Sequence, residues 1–132
     1  MILLDTHAWI WFLSNPEKLS ASAIEKIDSA VKKQQIFVST ISVWEMAMLV
    51  NKGRLTLSMH VEEWIHIAEK LPFLHFVHID NNIALQSVNL PGKFHNDPAD
   101  RIIIATAIYL KAPVISKDRR IRNYPHVPSI WD

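Results

Sequence analysis

The stretch that most limits this chain runs from Pro98 to Lys111. Ile102, Ile103, Ile104, Ala105, Ala107, Ile108 and Leu110 place apolar side chains on every face of a helix, so that helix demands cover all round and belongs inside a layered fold. Two acids open it. Asp97 stands at the N-cap position, Pro98 fills the first helical position where its missing N–H costs nothing, and Asp100 falls in the first turn. Elsewhere, short apolar runs at 2–5, 35–39, 75–79 and 112–116 read as strands, and 127–131 adds a fifth candidate. Helical patterns cover 6–13, 20–33, 41–51, 57–70 and a short piece ending at Val88. No hairpin signal joins two strands. The alternation predicts an α/β three-layer sandwich: a central parallel sheet of four or five strands with helices on both faces.

The 132 residues suit a single domain spanning 1–132, and 49% hydrophobic with 20% charged residues excludes a disordered chain. Without cysteine there is neither a disulfide framework nor a thiolate metal site. With two glycines there is no Gly-rich phosphate loop. The opening MILLDTHAWIWFL has no basic residue ahead of its apolar run and an acid inside it, which predicts neither a signal peptide nor a membrane span and leads to the expectation of a cytoplasmic protein. A formal charge of +1 gives no global field for nucleic acid, so any such binding must come from a local patch.

In an open parallel sheet, ligands bind beyond the carboxyl ends of the strands. Asp5 ends the first strand, Asp118 lies two residues past the fourth, Glu45 sits early in the helix after the second, and Asp100 opens the helix before the fourth. Each has a plain structural reading. Asp97 and Asp5 suit helix caps, Ser42-Val43-Trp44-Glu45 matches a capping box, and Asp118 suits a turn. Yet Ser, Thr or Asn would cap as well. Acids at all of these places together are what a hard divalent cation requires, and the absence of sulfur ligands favours Mg²⁺ or Mn²⁺ over zinc. Lys117, Arg119, Arg120 and Arg122 lie beside the last acid, where they suit the phosphates of a polyanion. His7 and His95 read as surface residues, and Trp9, Trp11 and Trp44 as core or subunit interface.

At these residues the chain resembles a PIN domain, and within that family the VapC-type toxin ribonucleases of type II toxin–antitoxin pairs. The resemblance rests on LLDTHAW, STISVWEMAML, HNDPADRIIIATA in its DPxDR form, and VISKDRRI, in that order over nearly the whole chain. It implies a PIN-like fold and Mg²⁺- or Mn²⁺-dependent hydrolysis of RNA phosphodiester bonds. It also implies Asp5, Glu45, Asp100 and Asp118 as the catalytic and metal-binding acids. Asp97, Thr6 and Ser116 are then outer contacts, with Thr6 orienting Asp5. Ser116-Lys117 stands where many relatives have Thr-Asn, a departure that keeps the acid. The implied partners are RNA, a cognate antitoxin and a second copy of the chain, with no membrane. Two other classes remain open at this point. One is a phosphoryl-transfer domain with Asp5 as nucleophile, disfavoured by His7 where one such family carries a second Asp. The other is a non-catalytic PIN-like binding module.

Overall fold

The computed structural model describes residues 1–132. In chain order it contains β1 (Ile2–Leu4), α1 (Thr6–Ser14), a 3₁₀ turn (Pro16–Lys18), α2 (Ala21–Lys33), β2 (Ile36–Ser39), α3 (Thr40–Asn51) and α4 (Val61–Glu69). There follow β3 (Leu74–Val77), α5 (Asn81–Val88), α6 (Pro98–Leu110), β4 (Val114–Ile115), α7 (Arg119–Arg122) and β5 (Ser129–Ile130). The five strands form one sheet in the order β3-β2-β1-β4-β5, and every pair is parallel. This is the expected three-layer sandwich.

Alternation along the strands divides the core. Ile2 and Leu4 of β1, Ile36 and Val38 of β2 and Ile115 of β4 face a core built with α1, α2 and α4. Leu3 and Val114 face the other way, onto Ile83 of α5, Ile103 and Ile104 of α6 and Ile121 of α7. The period of two thus assigns each short strand to both layers at once. Trp9, fully buried, packs edge-on to Trp64 and Phe76.

Side-chain caps start the helices that border the sheet's upper rim. Asp5 accepts from the N–H of Ala8, Asp80 from Ile83, Asp97 from Asp100 and Asp118 from Arg120. Each cap satisfies a backbone donor that its helix leaves unpaired.

Some local expectations are corrected. α3 starts at Thr40 with Ser39 as its cap, so Ser42 is inside the helix and no capping box exists there. α4 starts at Val61 rather than Leu57; Leu57 and Met59 pack on the core from irregular backbone, satisfying the apolar pattern without a helix. The basic segment after β4 is the short helix α7, not a turn. α6 is not covered on every face: Ile103, Ile104, Ala105 and Ala107 are buried, Tyr109 is 57% exposed, and Leu85 and Val88 of the neighbouring α5 are also exposed. Its outer side carries apolar side chains that the fold itself leaves uncovered.

Ile104 sits at 0% exposure between α6 and the sheet. Ile104→Ala is expected to cost about 2–5 kcal/mol by cavity formation, read as a lowered urea midpoint with an unchanged slope.

Candidate active site

Strand order reverses beside β1: its neighbours are β2 on one side and β4 on the other, and the chain leaves both β1 and β4 at the same rim. Crevices form at such a switch point because the connections diverge to opposite faces. A cavity of about 510 Å³ opens there, lined by Asp5, Thr6, His7, Trp11, Glu45, Asp97, Asp100, Lys117, Asp118 and Arg120. Segments remote in sequence therefore bring the four acids singled out above, together with Asp97, to one cleft.

The acids are held in different ways. Asp5 is 7% exposed and takes the Ala8 N–H at 2.9 Å, and the nearby Ser116 hydroxyl favours its charged form. Ser116 Oγ also accepts the backbone N–H of Asp118 at 3.0 Å, so one serine ties the exits of β1 and β4 together. Thr6 does not orient Asp5. Its Oγ1 lies 2.5 Å from Glu45 Oε1 and 2.8 Å from Ser42 Oγ. With a single proton, Thr6 donates to the carboxylate and accepts from Ser42, because the charge-assisted bond is the stronger. Ser42, fully buried, is a site residue that sequence reasoning had used only as a cap.

Gathering acids here sets up electrostatic strain. Burial is the main reason that Asp5 is pushed up to about 6; Ser116, the Ala8 N–H and His7 oppose the rise, and Asp118 adds to it. Asp100 is pushed up to about 7, first by burial and then by the charges of Asp97, Asp118 and Glu45, with Arg120 only partly offsetting them. Burial raises Asp118 too, but hydrogen bonds and charge from Arg120 outweigh it and hold that carboxyl below its usual range. Arg120 Nη2 stands 3.2 Å from Asp118 Oδ2 and 3.6 Å from Asp100 Oδ2. A positive group thus sits between two carboxylates where the site demands positive charge. No three Asp, Glu or His side chains stand close enough to share an ion as they are arranged here. The donor set is nevertheless all hard oxygen, carries excess negative charge and already draws in a guanidinium, which fits a divalent cation of the Mg²⁺ or Mn²⁺ kind.

His95 departs from its reading as a surface residue. Its side chain is 20% exposed and its Nε2 lies 3.2 Å from Asp100 Oδ2, too oblique for a hydrogen bond, while Phe94 flanks the ring at 4.3 Å. Burial is the chief cause of its lowered pKa. The loop that carries it is pinned by Arg101, which donates to the carbonyls of Ser87, Phe94 and His95 at 2.7, 3.0 and 3.1 Å. Trp11 is half-buried against the cleft, while Trp9 goes into the core and Trp44 is 57% exposed. The basic cluster splits: Lys117 and Arg120 line the acidic cleft, whereas Arg119 and Arg122 line a different cavity.

A family model described as PIN domain matches residues 2–127. The chain belongs to the PIN domain family. It is 36% identical over 126 residues to Ribonuclease VapC22 of Mycobacterium tuberculosis, covering 95% of this chain and 92% of that relative. This PIN domain superposes on VapBC2 from Rickettsia felis, bound to a DNA fragment from their promoter, with a TM-score of 0.72 at 17% identity and full coverage of both chains. FitAcB from Neisseria gonorrhoeae gives 0.69 at 22% identity, covering 98% of this chain and 96% of that one. Mycobacterium tuberculosis VapC20, a sarcin-ricin loop cleaving toxin, gives 0.67 at 15% identity over 95% of each chain. At these identities the structures establish the fold.

Because Asp5 and Asp100 bind protons more tightly folded than unfolded, the folded PIN domain carries more protons between about pH 4 and 7. Their contribution to stability therefore falls as pH rises through that window. Without divalent cations, Asp100→Asn is expected to melt higher than wild type at pH 8 and to show a smaller loss between pH 5 and 8. Equal melting curves for the two proteins at both pH values would contradict the strain assigned to Asp100.

Proposed function

We propose that this PIN domain is an Mg²⁺- or Mn²⁺-dependent endoribonuclease and the toxin of a toxin–antitoxin pair. The observation that carries the reading is the convergence of Asp5, Glu45, Asp100 and Asp118 on one cleft, with Asp5 and Asp100 driven upward by burial and by acidic neighbours. The similarity to a named VapC ribonuclease over nearly the whole chain supports the choice of RNA. Bound there, the cation supplies charge neutralisation at the phosphoryl and leaving oxygens and lowers the pKa of a water.

The chain's own residues do the rest. Asp5, Asp100 and Asp118 would hold the cation, and Arg120, released from Asp100 and Asp118, would meet a phosphate oxygen with Lys117 beside it. Glu45, fixed by the Ser42–Thr6 hydroxyl pair, would help hold the cation or orient the attacking water. Ser116 keeps Asp5 and Asp118 at one spacing. No covalent intermediate is needed. Asp5 is tied as the α1 cap and largely enclosed, which disfavours it as a phosphorylated nucleophile. Retention of every acid in one cleft disfavours a non-catalytic module.

The solved neighbours include toxin–antitoxin complexes, among them one from Klebsiella pneumoniae with a TM-score of 0.66 at 23% identity over 96% of this chain and 95% of that one. An antitoxin protein is accordingly the partner assigned here. The apolar side chains left exposed on α5 and α6, Leu85, Val88 and Tyr109, suit a second copy. No helix is long and apolar enough to cross a membrane.

Cleavage of a fluorescent RNA oligomer is expected to require Mg²⁺ or Mn²⁺ and to vanish in Asp5→Asn, with the circular dichroism spectrum retained. Ser42→Ala is expected to lose about 10–100-fold in activity or metal affinity through misplacement of Glu45. Metal-dependent cleavage at the wild-type rate by Asp5→Asn would overturn the assignment.

A further inference from the structure

A second cavity, of about 840 Å³, lies on the other side of α7 and includes Ser22, Lys26, Arg119, Arg122, Asn123 and Trp131 in its lining. Arg122 is paired with Asp132 at 3.0 Å, while Lys26 and Arg119 are exposed and have no ion-pair partner. The cavity therefore presents uncompensated positive charge beside a half-buried indole. It also connects with the acidic cleft in two ways. First, α7 directs Arg120 into the cleft and its neighbours Arg119 and Arg122 into the second cavity, as successive helical residues point about 100° apart. Second, Trp11 in the wall of the cleft and Trp131 in the wall of the second cavity have ring centroids 5.9 Å apart, inclined at 57°. Lys18 and Lys117 stand 5.9 and 6.0 Å from the Trp11 ring centre.

Cations interleaved with aromatic faces are what a single strand of nucleic acid uses: charge follows the backbone and the rings receive bases without regard to sequence. We infer that this second cavity is a subsite for the single-stranded RNA that flanks the cleavage point, reached from the cleft over the Trp11–Trp131 pair and α7. The inference rests on the ribonuclease reading and adds a site to it. Lys117 and Arg120 serve the phosphate in the cleft, whereas Lys26 and Arg119 grip the strand beyond it. Arg122, braced by Asp132, walls the subsite, and Trp131 offers a stacking face. Lys26, on the outer face of an amphipathic helix, gains a role that its sequence context gave no sign of.

The test is fluorescence anisotropy with labelled single-stranded RNA of roughly four and roughly twelve nucleotides, a range matched to known single-strand sites, with divalent ions withheld. Wild type is expected to bind the longer oligomer roughly tenfold or more tightly than the shorter. Lys26→Glu/Arg119→Glu changes two exposed side chains, so its melting temperature is expected to match wild type. It is expected to lose the length preference, and the slope of log affinity against log salt on the longer oligomer is expected to shrink by about 1.4, two contacts' worth for a single strand. Retention of the wild-type length preference and salt slope in the double variant would overturn the subsite. So would a change in its mass by light scattering, which would make this face an interface between copies. Failure of the ribonuclease reading has a different signature: no metal-dependent cleavage of either oligomer by wild type, whatever the anisotropy shows. Failure of wild type to bind either oligomer would reject RNA in both places.

Discussion

The buried carboxylate of Asp5 is the interaction on which the rest of the arrangement turns. It caps α1 through the Ala8 N–H and lies beside the Ser116 hydroxyl at the exit of β4, which favours its charged form. One side chain thereby ends a strand, begins a helix and ties together the two strands that flank the switch point. Parallel sheets put the N-termini of following helices at the rim where their strands end, and those termini need acceptors. Asp97 and Asp118 answer the same need at α6 and α7. Capping and metal binding are therefore not rival accounts of these acids. A cap fixes the backbone geometry of a carboxylate and leaves its second oxygen to another partner, as Asp118 Oδ2 meets Arg120.

That solution leaves strain in the folded protein. Asp100 gains less from Arg120 than it loses to burial and to its acidic neighbours, so its proton affinity climbs. Arg120 offsets Asp118 almost alone. A site in this condition costs the folded protein stability, and under the proposed function a divalent cation would relieve that cost, because the same charge would bind it. On the proposed function, a bound cation would release Arg120 for phosphate, so the guanidinium that balances charge in this structure would serve the substrate.

Much of this was legible in the sequence, for physical reasons. β1 is short and wholly apolar, β2 is apolar up to Ser39, and each runs at once into a cap residue and a helix, so their order and parallel sense could be read directly. Asp5, Glu45, Asp100 and Asp118 were legible because strand ends in this topology share a rim. What could not be read were contacts decided by packing between remote elements. Ser42 looked like a cap until α3 was seen to start one turn earlier, at Thr40. Thr6 adjoins Asp5 in sequence but turns to Glu45 in space. His95 was indistinguishable from a surface histidine without the Arg101 bonds that fold its loop against Asp100. The division of the basic cluster into two directions needed the helical path of α7, which four residues are too few to announce. One signal was available and went unused: Arg101 directly follows Asp100 in the DPADR motif, and an arginine so close to a site acid invites the question of what it holds.

Diffraction from crystals soaked in Mn²⁺, with anomalous scattering used to locate the metal, tests the shared cation most directly. A manganese peak is expected in the cleft, in contact with Asp5 and Asp100, with the Arg120 guanidinium moved off Asp100. A cleft without manganese at saturating concentration, with Arg120 still bridging Asp100 and Asp118, would contradict it.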